Sequence, residues 1–251
     1  AESSGGEGNA NVTVRGVPIS AGGSRYVQFQ EDGLPVLQLG DFNFVTPDMF
    51  LRSSLGTDGL EVVRGGSAST MATNAPGGII NFISKTGDEP GGSVGISTGL
   101  GYDEKRFDFD YAGKLSDKTR FFVGGYTTSG QGPRNAPANG IQGHQIKANI
   151  TQELDNGFFR LSFKSLDDKS PLFMPAPVSI KNGVISELPG IDPRKATFYS
   201  PYWVADATLT KNNTMVNSDV NDGLRVKNNA IGFETELKLA NGWKLSEKFR
   251  I

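Results

Sequence analysis

The sequence predicts a glycine-rich α+β unit over residues 1–90, followed over 91–251 by long antiparallel strands of the kind that build a transmembrane β-barrel. Three observations predict it. After Gly91, apolar and polar residues alternate with period two in long segments, as they do when successive side chains point to opposite faces of a strand. The connections between these segments are short at one end and mostly longer at the other, an asymmetry that membrane barrels share. Before Gly91 the chain is broken into short apolar pieces between Gly, Pro and Asp.

In the first part, Val12-Thr13-Val14 and Tyr26-Val27-Gln28-Phe29-Gln30 are expected to be short strands, and Asp32-Gly33 a turn. Pro47 to Ser54 is expected to be a short helix, with Thr46 as its cap and Pro47 where a missing N–H costs nothing. Leu60 to Arg64 and Ile79 to Ile83 are expected to be two more strands. In the second part, strands are expected near 92–101, 105–115, 119–129, 143–154, 158–168, 229–240 and 243–251. The alternation is clearest where Phe107, Phe109 and Tyr111 interleave with Arg106, Asp108 and Asp110. It recurs where Phe159, Leu161 and Phe163 interleave with Arg160, Ser162 and Lys164, and where Ile231, Phe233 and Leu237 interleave with Glu234, Glu236 and Lys238. Ser116-Asp117-Lys118, Asp155-Asn156-Gly157 and Asn241-Gly242 supply tight turns at one end; 102–104, 130–142 and a long loop over 169–228 lie at the other.

A soluble sandwich also alternates. Its strands, however, run about 5–6 residues where these run roughly 10–12, and it has no use for a connection of about 60 residues without strong periodicity. Lipid cannot satisfy an open sheet edge, so the seven strands are expected to be the front part of a longer, closing chain.

Composition narrows the chemistry. With 25 Lys+Arg against 27 Asp+Glu, no basic excess calls for nucleic acid. The absence of cysteine excludes disulfides, thiolate catalysis and zinc–thiolate sites, and the one histidine, His144, gives no basis for a histidine metal cluster or a catalytic relay. Asp108, Asp110, Asp167 and Asp168 are acid candidates by residue type alone. The protein is therefore expected to be no enzyme, and no resident metal or cofactor is expected.

Arg15-Gly16, Glu31-Asp32-Gly33-Leu34-Pro35-Val36, Leu60-Glu61-Val62-Val63-Arg64-Gly65-Gly66 and Asn74-Ala75-Pro76-Gly77-Gly78-Ile79-Ile80-Asn81-Phe82-Ile83-Ser84-Lys85 form an ordered series. The series resembles the plug domain of TonB-dependent outer-membrane receptors over about residues 11–87, and the strands of 88–251 are what should follow a plug. Two positions depart from the family pattern: Gly66 stands where proline is usual, and Met71-Ala72-Thr73 stands where a leucine-tyrosine-glycine element is common.

The resemblance implies an α+β plug followed by antiparallel transmembrane strands, about seven of an expected 22, with the N-terminal part of the plug and the coupling box before Ala1. It implies location in the bacterial outer membrane, and import of a scarce ligand driven by the proton gradient through the TonB-ExbB-ExbD complex. A ferric siderophore is the first expectation. An oligosaccharide or other organic nutrient is the alternative, and a non-transporting surface barrel or adhesin lies behind both. Outer-membrane lipid, lipopolysaccharide and a surface lipoprotein are the implied neighbours. Carried onto this sequence, Glu61 and Arg64 would lie at the contact of plug and barrel, and Gly77-Gly78 would let a strand pass close to the wall or take positive φ. Ligand would meet the plug apex at Arg15, Arg25, Gln38, Asp41, Asn43 and Phe44. It would meet the long outer loop at Phe198, Tyr199, Tyr202 and Trp203, near Phe173, Asp192 and Arg194, where aromatic faces beside charges can stack on flat or sugar-like ligands.

Overall fold

A computed structural model of the chain describes Val14, Gly16, 26–38, 47–73, 75–136, 139–170, Phe173, 176–197, 205–219, Asn221 and 223–251. The first part forms a four-stranded sheet from β1 (Val27–Glu31), β2 (Leu34–Pro35), β3 (Thr57–Arg64) and β4 (Gly78–Ser84), in the order β2-β1-β4-β3. Asp32 and Gly33, with φ of 54° and 81°, close the β1–β2 hairpin, because a two-residue turn of this hand needs positive φ at both positions. β1 runs parallel to β4, and among its described residues the crossover between them carries a 3-10 turn (Pro47–Phe50), β3 and the four-residue helix α1 (Ala68–Met71). The helix expected over Pro47 to Ser54 is thus confined to its first turn, and α1 was not expected. Val14, Val27, Phe29 and Leu51 make one small core, and Ala68, Ala75 and Ile79 another. Of the expected strand 12–14, only Val14 lies among the described residues.

The second part is one antiparallel sheet. It contains β5 (Gly91–Thr98), β6 (Asp103–Ser116), β7 (Thr119–Gly132), β8 (Ile141–Leu154) and β9 (Gly157–Ser170). Two hairpins of the long loop follow, β10 (Ser179–Lys181) with β11 (Val184–Ser186) and β12 (Ala205–Leu209) with β13 (Met215–Asp219). β14 (Leu224–Lys238) and β15 (Lys244–Arg250) complete the sheet in the order β15-β14-β9-β8-β7-β6-β5. All seven expected strands are present, joined in meander order by the expected tight turns. The expected start at 229 is corrected to Leu224, because Arg225 to Asn228 continue the ladder with β9. The long loop is also corrected: it is not free of regular structure. Its Asn182-Gly183 pair, with φ of 51° and 78°, turns the β10–β11 hairpin and was legible as a turn signal.

The two faces of the sheet invert the usual order of a soluble protein. Asp108, Asp110, Gln145, Lys164 and Asp168 are buried, while Ile96 is 85% exposed, Ile231 60% and Phe249 54%. Register makes the apolar face continuous: Phe107 lies opposite Ile96, Ala148 opposite Phe163, Phe163 opposite Ile231, and Phe233 opposite Phe249. The polar face is covered by the glycine-rich unit. Buried charge on one side and bare hydrocarbon on the other is the arrangement that a sheet between a wet interior and an apolar solvent requires.

Candidate functional site: the charged contact between unit and sheet

The contact is built by strand parity. On β8, β9 and β15, the residues out of phase with the apolar face lie on the side that the glycine-rich unit covers, and three of them converge on one carboxylate. Lys147 Nζ lies 2.8 Å from Glu31 Oε1, Lys164 Nζ 2.9 Å from Oε2, and the Arg250 guanidinium 3.5 Å from Oε2. Glu31 ends β1, whose tight turn brings Leu34 and Pro35 back beside it; their carbonyls accept from Arg250 at 3.2 and 2.7 Å. Lys147 also donates to Ser84 Oγ, and Lys164 to the Phe50 carbonyl at 2.8 Å.

A second group ties the other side of the unit. Arg52 Nε donates to Asp168 Oδ2 at 2.6 Å, the same oxygen accepts from Tyr126 OH at 2.8 Å, and the pair is almost fully buried. The segment after the 3-10 turn positions Arg52, whose Nη1 donates to the carbonyls of Met49 and Leu51 at 2.8 and 2.7 Å. Arg106 grips Asp108 through two hydrogen bonds, donates to the Ser53 carbonyl at 2.6 Å and lies over the Tyr126 ring. Lys85 pairs with Asp110 at 2.8 Å just before the chain crosses from unit to sheet. Apolar contact is small beside this: Met49 packs on Leu166 and Val226, and Gly56 faces the Phe122 ring.

Burial would raise the carboxyl of Glu31, but the ammonium groups of Lys147 and Lys164 overcome it and hold it at about 2, against an ordinary 4.5. The docked carboxyl therefore binds its proton less readily than the free one, so the contact is fully favourable above pH 4.5 and is lost as pH falls from there toward about 2. Pepsin cleavage within β1 should rise across that window. With cleavage normalised to that of an unfolded substrate at each pH, the Glu31→Gln variant should rise much less; the same rise in both would remove Glu31 as the cause.

The residues expected to hold ligand are mostly beyond the described part. Arg15, Arg25, Asp41, Asn43, Phe44, Phe198, Tyr199, Tyr202 and Trp203 all lie outside the described residues, and Gln38 is exposed at the end of the segment 26–38. Phe173 is buried with the Arg134 guanidinium over its ring, which fits an anchor of the loop's own fold. Asp192 and Arg194 pair with each other at 3.0 Å, and Arg194 also reaches Glu187. The expected contact residues stand apart from the charged network. Glu61 and Arg64 are exposed on β3, the edge strand of the small sheet, where Glu61 accepts from Asn81 at 3.0 Å.

Gly77 and Gly78 pack inside their own unit. A Cβ on Gly77 would lie 2.9 Å from the Tyr26 carbonyl oxygen, and one on Gly78, at φ +153°, 2.6 Å from that of Val63. Gly78→Ala should therefore destabilise the β3–β4 pairing by about 1–3 kcal/mol. Faster hydrogen exchange across both strands in the full-length protein would register it, and unchanged exchange would show that the backbone can relax.

Glu31, Arg52, Lys164, Asp168 and Arg250 were not expected as contact residues. Parity could have picked Asp168 over Asp167, since Asp168 shares the phase of Arg160, Ser162 and Lys164. Asp167 instead pairs with Arg225 and Lys227 on the other face. The candidate acids are thus all engaged by cations, and among the described residues no group of three His, Cys, Asp or Glu side chains could hold a metal ion.

Neither the family models nor the curated proteins yield a match to this sequence. Solved structures do. The closed form of the ferric-catecholate import receptor Fiu of E. coli K12 aligns over 98% of the chain with TM-score 0.63 at 14% identity, covering 32% of that receptor. The chain has the fold of TonB-dependent outer-membrane receptors. The ferripyoverdine receptor of Pseudomonas aeruginosa aligns over 99% of the chain with TM-score 0.60 at 16% identity, covering 30% of its length. The copper transporter OprC aligns over 98% with TM-score 0.56 at 13% identity, covering 33%. The chain spans about a third of the length of the receptors whose fold it shares.

Proposed function

We propose that the chain belongs to an outer-membrane receptor of bacteria in which residues 1–90 are a plug and 91–251 begin the barrel around it. The observation that carries this reading is the inverted sheet: its charged face is buried against the glycine-rich unit while its apolar face is open. The composition of the contact suits a plug that must move. An apolar seal would lose its stabilisation whenever it opened, whereas ions and polar groups released from one another can be taken up by water.

The receptor binds a scarce ligand outside the cell and imports it when the TonB complex, driven by the proton gradient, pulls on the plug. The expected cargo is a ferric siderophore, a reading supported by the likeness of fold to the ferric-catecholate import receptor and the ferripyoverdine receptor. The apex residues Arg15, Arg25, Gln38, Asp41, Asn43 and Phe44 and the loop residues Phe198, Tyr199, Tyr202 and Trp203 are proposed to hold it.

Cells carrying the full-length receptor should accumulate a labelled ferric siderophore, and accumulation should stop when the proton gradient is dissipated while surface binding persists. Titration against oligosaccharides in parallel assigns the cargo. Accumulation that ignores the gradient would overturn energy coupling, and binding of oligosaccharide alone would overturn the siderophore.

A further inference from the structure

The charge balance around Glu31 is uneven. Lys147, Lys164 and Arg250 come from three different strands of the sheet and meet a single carboxylate, which belongs to the other unit. Beside them on the same face, Arg160 and Lys248 share one carboxylate, that of Glu234. With the glycine-rich unit in place, Glu31 and the Asp32 carbonyl answer these cations. With it displaced, this local group would keep its five cations against the one carboxylate of Glu234. Two ammonium groups held so close repel one another, so the uncovered cluster would attract an anion even with water around it. Two small adjoining clefts lie against Glu31, both lined by Ser84, Asn149, Ser162 and Arg250.

We infer that Lys147, Lys164 and Arg250 form an oxyanion pocket of the barrel wall, which Glu31 fills in the closed receptor and a carboxylate-type group of the ligand fills when the plug moves. The inference rests on the plug reading above. Its geometry favours a two-oxygen anion over a halide: Lys164 reaches both oxygens of Glu31, at 3.0 and 2.9 Å, while Lys147 takes one and Arg250 the other. The plug's own carboxylate thus stands in for the ligand's. Exchange of one for the other keeps the wall cations paired through the opening, so an anionic ligand would travel past this point with less penalty than a neutral one.

The test uses the full-length Glu31→Ala receptor, which leaves a carboxylate-sized gap facing the three cations. Formate is expected to raise its thermal midpoint by about 2–4 °C over chloride at matched ionic strength, as a ligand of the folded state does. Citrate, whose carboxylates are attached to a larger body, is expected to raise it as well. The Glu31→Asp receptor, with its carboxylate still present, should respond to neither. If Glu31→Ala does not fold in chloride, its folded yield on refolding in formate reads the same quantity. Equal effects of formate and chloride would overturn the pocket. A response to formate without citrate would confine it to free ions and overturn its role toward the ligand. None of these readouts involves uptake, so failure here is distinct from failure of the transport reading.

Discussion

Asp168→Ala is expected to weaken the docking of the glycine-rich unit by about 3–5 kcal/mol, because it leaves the Arg52 guanidinium buried with its charge unanswered. The same change strips the Tyr126 hydroxyl of its acceptor. The carbonyls of Met49 and Leu51 would still hold Arg52 in place, so the charge could not swing out to water without unwinding the segment after the 3-10 turn. Asp168→Asn should cost less, since an amide oxygen can still accept from Arg52. The decisive comparison is the double change Arg52→Met with Asp168→Leu. Replacing both members of a buried pair by apolar groups is often neutral or stabilising, whereas removing one is not. Urea-induced exposure of 47–54 in the full-length receptor, followed by hydrogen exchange, measures all three. A double variant as weak as Asp168→Ala would mean that packing at the site, and not the unpaired charge, sets the cost.

This asymmetry bears on function. The two charged groups at the contact differ in composition: Arg52 and Asp168 balance each other one to one, while Glu31 answers three cations. The balanced pair is all but sealed from water, at 1% and 5% side-chain exposure, and Arg250 at the Glu31 group keeps 21%. A pull on the unit would meet its larger electrostatic penalty at the sealed pair. The Glu31 group instead borders two small clefts, so it is the less tightly enclosed of the two.

The long strands were legible because their period is an intrinsic property of the sequence. Phe107, Phe109 and Tyr111 against Arg106, Asp108 and Asp110 fix both the element and its faces, and no distant contact is needed to decide it. Partners were not legible in the same way. Glu31 meets Lys147 and Lys164 across 116 and 133 residues, and Arg52 meets Asp168 across 116. Parity could say that Lys164 and Asp168 face inward, but not which side chain of the other unit each would find. Glu61 and Arg64 carry the family motif, and Glu31, in the earlier Glu-Asp-Gly piece, is the carboxylate that reaches the described sheet. α1 and the hairpins of the long loop escaped for the opposite reason. They are too short for periodicity to register, so only turn chemistry such as Asn182-Gly183 could have shown them.

Ala148→Arg should separate a membrane wall from a soluble sheet more sharply than any change on the polar face. Ala148 lies halfway along β8, in register with Val123 on one side and Phe163 on the other, and its side of the strand carries Ile146 and Ile150 as well. If this face meets water, a long cation there costs within about 0.5 kcal/mol, as surface substitutions generally do. If it meets hydrocarbon near the bilayer midplane, the same cation costs about 2–4 kcal/mol, falling to about 0–1 near the interface. The depth dependence is the more telling part, so Leu154→Arg at the turn end of the same strand should be much milder. Alanine is a fair host because little packing is lost with it. Lys147, one residue earlier, is tolerated only because the pleat turns it to the other face, where Glu31 receives it. Urea titrations of the full-length receptor in phospholipid vesicles give the two costs. Equal, small costs at 148 and 154 would place water on both faces of the sheet; a steep difference between them fixes which face the lipid touches and, with it, which face is left for the plug.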